Sequence, residues 1–65
     1  MNKQTKFQIK LIAKKNALES MIEDAVSHIN DDRYPSTKEF FVTQKIKYEA
    51  QLDIVNQIIN DYLNN

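Results

Sequence analysis

Apolar residues in the first half of the chain recur every three or four positions, the spacing of one face of an α-helix. Polar residues such as Gln8, Glu19 and Glu23 fall on the other faces of the same helix. Thr5 to Gln8 has the form of a capping box, and the apolar pattern stops before the polar run that follows position 29. We therefore predict a first helix over about 5–29. Its apolar stripe is Phe7, Leu11, Leu18, Ile22, Ala25 and Ile29.

The second half of the chain carries a separate helical pattern. Pro35 disfavours helical geometry in Tyr34, and Ser36 followed by Glu39 three positions later offers a second capping box. The next apolar residues recur with the alternating spacing of a helix that packs against another helix. These features predict a turn over about 30–36 and a second helix over about 37–63. The second stripe is Phe41, Tyr48, Leu52, Val55, Ile59 and Tyr62.

A short turn between two long helices makes them antiparallel neighbours. The sequence therefore predicts an all-α fold in which residues 1–65 form one antiparallel two-helix hairpin. Pairing residues whose numbers add to about 66 places Ala25 against Phe41 and Leu18 against Tyr48. In the first pair a small residue meets a large one, as close packing requires.

The charges support this arrangement, although their total is zero. Residues 1–18 are purely basic, 19–32 purely acidic, 33–47 mainly basic and 48–65 purely acidic. Folding back near Pro35 places each basic block beside an acidic one. We expect the charge order to favour the antiparallel orientation.

A single hairpin of this length buries little apolar surface, and we expect it to be only marginally stable by itself. We therefore expect dimerisation into a four-helix bundle, or docking on a partner protein, to complete the fold. A second apolar ridge on the second helix predicts the interface, with two further residues on the first helix. Isolated surface apolar residues are the alternative interpretation. The predicted interface residues are Ile9, Ile12, Val42, Ile46, Ala50 and Ile54.

No residue pattern indicates catalysis or a cofactor. The chain has no Cys and no Gly, which excludes thiolate metal sites and glycine-rich phosphate loops. His28 and Asp24 lie one helical turn apart, but two ligands do not make a metal site. The carboxylate pairs on each helix lack a pocket that would shift their pKa values. We expect no enzymatic activity, no metal, no cofactor and no small-molecule substrate.

One basic stripe on the first helix remains a candidate contact for nucleic acid or for an acidic partner. The alternative, which we favour, is that these lysines face Glu49, Asp53 and Asp61 across the hairpin. The near-neutral composition also lacks the basic excess of nucleic-acid-binding domains. The stripe consists of Lys3, Lys6, Lys10 and Lys14.

The apolar runs are too short for a membrane span or a signal peptide, and we expect a cytoplasmic protein. The abundance of Lys, Asn and Ile suits an AT-rich genome, such as that of a low-GC bacterium or its phage. The function predicted is that of a small protein–protein interaction module, acting as a regulator, inhibitor or assembly subunit on itself or on a larger protein. The alternative is an RNA- or DNA-binding hairpin that uses the lysine stripe.

Overall fold

Two long helices pack side by side in the computed structural model, which describes residues 3–63. Helix α1 spans Lys3–Ile29, a short 3₁₀ turn spans Pro35–Thr37, and helix α2 spans Lys38–Leu63. The predicted all-α class and the pairing of two helices are confirmed. The observed bounds differ from the predicted ones by at most two residues.

The helices do not start at the two predicted capping boxes. Helix α1 begins at Lys3, so Thr5 is already a helical residue. Ser36 lies inside the 3₁₀ turn, because Pro35 starts that turn with its fixed φ angle. The hydroxyl of Thr37 donates a hydrogen bond to the carbonyl of Tyr34 at 2.8 Å, one residue before α2 begins.

The turn between the helices is held by a charged pair. The Arg33 side chain donates to both carboxylate oxygens of Asp31, at 3.0 Å from Nε and 2.9 Å from Nη2, and the Arg33 amide donates at 3.1 Å. These hydrogen bonds lower the pKa of Asp31 below its ordinary 3.8. The Lys38 amine lies 3.3 Å from Asp32 and connects the turn to α2. The acidic residues here therefore have local partners.

Ring contacts near both ends fix how the two helices align. Phe7 packs against Tyr62 with ring centroids 5.2 Å apart, and His28 stacks on Phe41 at 4.2 Å and an interplanar angle of 8°. In each pair the residue numbers add to 69, so the predicted register of about 66 is wrong by three residues. Three residues are slightly less than one helical turn, so the same faces meet in both registers. Helical periodicity is compatible with both registers, and the two ring contacts identify the one that forms.

The core between the helices is thin. Leu18, Ala25 and Val55 are buried, with exposed fractions of 1%, 2% and 7%. The molecule measures 48 × 19 × 13 Å, and its radius of gyration of 15.0 Å exceeds the roughly 11 Å expected for a compact chain of this length. Phe7, predicted in the core, is 43% exposed despite its contact with Tyr62. A single layer of two helices leaves much apolar surface in contact with water.

Candidate association surfaces

The predicted ridge on α2 is exposed along its described length. Val42, Ile46 and Ile54 are 41%, 61% and 58% exposed, and Ala50 is also exposed. A step of four residues turns a helix by about 40° beyond a full turn, so the ridge rotates by about 120° between Val42 and Ile54. Ile46 consequently points away from the seam, while Val42 and Ile54 lie on opposite sides of it. The ridge does not form one surface.

The two predicted interface residues of α1 are exposed as well. Ile9 is 51% exposed and Ile12 is 47% exposed. Ile9 precedes the buried Leu18 by nine residues, which places it on the side of α1 directly away from α2. Ile9 and Ile46 therefore occupy opposite outer edges of the hairpin, and one flat partner cannot cover both.

One broad side of the hairpin is acidic. Four carboxylates from the two helices surround an open groove of about 610 Å³, whose apolar floor is Ile22 and Leu52. We call this side the acidic face. It is formed by Glu19, Glu23, Glu49 and Asp53.

Two half-buried lysines beside the seam reach toward this face. The Lys15 amine lies 4.0 Å from Glu19, and the Lys45 amine lies 3.4 Å from Glu49, each within its own helix. Their aliphatic stems cover the seam while their charged ends stay in water. Across residues 3–63, no group of three or more His, Cys, Asp or Glu side chains could hold a metal ion.

The opposite broad side is apolar. Met21 and Phe40 line one groove of about 370 Å³, and Lys14 and Ile54 line another of about 360 Å³. Ile58 follows Ile54 by one helical turn. We call this side the apolar face and define it by Met21, Phe40, Ile54 and Ile58, which are 39%, 59%, 58% and 38% exposed. Of these four residues, only Ile54 belongs to the interface predicted from the sequence.

The predicted pairing of the lysine stripe with acids of α2 is wrong for the residues whose side chains are described. Lys6, Lys10 and Lys14 are exposed and form no ion pair there. The five ion pairs of that region join residues of one helix, residues of the turn, or the turn and the start of α2. Two of the expected partners, Glu49 and Asp53, line the acidic face instead. The side chain of Lys3 lies outside the described residues.

His28 is exposed and contacts two described side chains. Its Nε2 lies 3.7 Å from Asp24 on the preceding turn of α1, and its ring stacks on Phe41 of α2. The sequence indicated the Asp24 contact, since the two residues are four positions apart. The Phe41 contact depends on the register and was missed.

Searches of protein-family models, curated proteins and solved structures found no match to this chain. Within the described residues, neither helix has an apolar stretch long enough to cross a membrane.

Proposed function

We propose that this chain is a small protein-binding module, a helical hairpin that acts as a regulator, inhibitor or assembly subunit by associating with another protein chain. The observation that carries the proposal is the imbalance between its core and its surface. Among the residues whose burial is described, three are buried, whereas ten large apolar side chains are at least 38% exposed.

The imbalance favours association because exposed apolar area is costly in water. Each square ångström of apolar surface removed from water contributes about 25 cal/mol. Scattered surface apolar residues are ordinary, but contiguous apolar patches on small proteins are typical of binding sites. Met21 and Phe40 line one groove from both helices, so their exposure is contiguous.

The test compares the wild type with a variant carrying Ile46→Glu and Ile54→Glu, the two most exposed residues of the predicted ridge. We expect the wild type to retain a protein partner, or itself, in pull-down and sedimentation, and the variant to lose it. A control with Gln57→Glu and Asn60→Glu adds the same charge to exposed polar positions of α2 and keeps association. Circular dichroism verifies equal helicity. A stable wild-type monomer that retains no protein contradicts the proposal.

A second candidate function, binding of RNA or DNA, is favoured by the unpaired lysines. Lys6, Lys10 and Lys14 are exposed on one flank of α1 and make no ion pair in the described part of the chain. A net charge of zero and the acidic face oppose this function. In this function the three lysines bind phosphates locally, because the protein as a whole carries no net positive charge to attract nucleic acid.

The salt dependence of binding tests this candidate. Each lysine that neutralises a phosphate contributes about 0.7–0.9 to the slope of log affinity against log salt. Replacing Lys6 and Lys10 by Gln should reduce that slope by about 1.4–1.8 for a mixed-sequence RNA or DNA probe. Lys45→Gln, which removes a lysine already paired with Glu49, serves as the control and should leave the slope unchanged. Equal slopes for all three proteins contradict nucleic-acid binding through the stripe.

A further inference from the structure

We propose that a second copy of this chain covers the apolar face, and that the two hairpins lie face to face with their open ends together. The inference rests on the proposed function and specifies both the surface and its occupant. It differs from the interface predicted by the sequence, which combined residues from opposite edges of the hairpin.

Two columns of residues with heptad spacing run along the side of the hairpin that carries the apolar face. In an antiparallel pair of helices, positions seven residues apart stay beside the seam along its whole length. The column on α1 is Phe7, Lys14, Met21 and His28, and the column on α2 is Phe40, Lys47, Ile54 and Asp61. In each column apolar residues alternate with polar or charged ones, so both kinds of contact recur along the hairpin, which suits a partner of the same length.

The chain exposes more surface than a compact protein of its mass. It exposes 5199 Å², whereas a compact monomer of 7.7 kDa exposes about 4,300 Å². The excess is roughly 900 Å². A standard interface between two proteins buries about 800 Å² on each partner. The excess is therefore large enough to supply one partner's share of a standard interface.

Charges on the apolar face indicate how the second copy is oriented. Residues of the two helices lie at the same height when their numbers add to about 69, as in the two interhelical ring pairs. Asp61 then lies at the height midway between Lys6 and Lys10, and Lys47 lies at nearly the same height as Asp24. Rotating the second hairpin about its long axis places α2 of one copy over α1 of the other and preserves these heights. Each of the two acids then meets a base of the other copy.

The reversed orientation brings different residues together. Turning the second hairpin end over end places each helix beside its own copy, so Asp61 no longer meets Lys6 or Lys10 and Lys47 no longer meets Asp24. Every pair of neighbouring helices is antiparallel in both orientations, as in an up-and-down four-helix bundle. The contacts of these charges therefore distinguish the two arrangements.

Sedimentation equilibrium at micromolar concentration tests the occupant and the face. We expect the wild type to have twice the 7.7 kDa chain mass and Ile54→Glu to be a monomer. Ile46→Glu is the matched control, because it makes the same change on the same helix at a residue that points away from the seam and is 61% exposed. It should remain a dimer. Equal loss of the dimer in both variants overturns the choice of face.

A charge exchange tests the contact without altering the apolar surface. Asp24→Lys should weaken the dimer because it places a lysine opposite Lys47, and adding Lys47→Glu should restore it. Both residues are exposed, so this pair carries the test even if Ile54→Glu unfolds the chain. No recovery in the double variant overturns the assigned contact.

A distance between the two turns tests the orientation. The chain has no Cys, so Ser36→Cys accepts a single spin label in the exposed turn. Open ends together bring the two labels near each other, well below the 48 Å length of the hairpin, whereas the reversed orientation separates them by about that length. The long distance overturns the proposed orientation.

The remaining outcomes separate this inference from the proposed function. A monomeric wild type that binds a different protein overturns the second copy as occupant and leaves the proposed function standing. A monomer that binds an RNA or DNA probe but no protein overturns both in favour of the second candidate. A monomer that binds neither overturns all three.

Discussion

Leu18→Ala tests whether the seam between the helices is the core of this protein. Leu18 is 1% exposed and is the largest side chain of the described region that is fully buried. Truncating a buried leucine to alanine costs about 2–5 kcal/mol, through the lost transfer free energy and the cavity that remains. Two helices in a single layer can close partly over the gap, so we expect the lower part of that range, about 2–3 kcal/mol.

Such a loss is large for a chain of this size. Native stability is about 0.05–0.15 kcal/mol per residue, which gives roughly 3–10 kcal/mol here. One kcal/mol lowers the Tm of a domain of this length by about 4–8 °C, so the variant should melt about 10–20 °C below the wild type. Urea and thermal unfolding followed by circular dichroism measure both quantities. Several protein concentrations are needed, because association raises apparent stability.

Ile46→Ala is the control for this measurement. Ile46 is 61% exposed on the side of α2 away from the seam, so its truncation should change stability by no more than about 0.5 kcal/mol. Equal losses for Leu18→Ala and Ile46→Ala would refute the location of the core. A loss at Ile46 that appears only at high protein concentration would instead indicate that Ile46 is covered in an assembly.

Two further predictions concern charge. Arg33 lowers the folded-state pKa of Asp31 below 3.8, so the stabilisation from Asp31 is present above pH 3.8 and is lost as the pH falls through the lowered pKa. Acid should therefore reduce the urea midpoint of the wild type more than that of Asp31→Asn. Equal reductions would contradict the role of this pair. Asp53→Lys should raise stability by up to about 1 kcal/mol at low salt, because it replaces one of four like charges on the acidic face by an opposite one, and the gain should shrink as salt is added. A stability unchanged by the substitution would show that the four carboxylates do not repel one another measurably.

The sequence was sufficient for the secondary structure and for the pairing of the helices. Apolar spacing located both helices within two residues of their observed ends, because helical periodicity is a local property. Leu18, Ala25 and Val55 were all placed on the predicted seam, and all three are buried. The short turn at Pro35 required an antiparallel arrangement, since no other path returns the chain in so few residues.

The tertiary structure decided which residues meet and which surfaces remain open. Periodicity cannot separate registers that differ by one turn; the contacts of Phe7 with Tyr62 and of His28 with Phe41 fix the register at 69. That choice, with the rotation of each helix about its axis, gathers Glu19, Glu23, Glu49 and Asp53 on one broad side and leaves Met21, Phe40 and Ile54 on the other. The one-dimensional charge pattern had suggested that basic and acidic blocks neutralise each other. The blocks do run side by side, but their side chains project to different faces, because adjacent residues of a helix point about 100° apart.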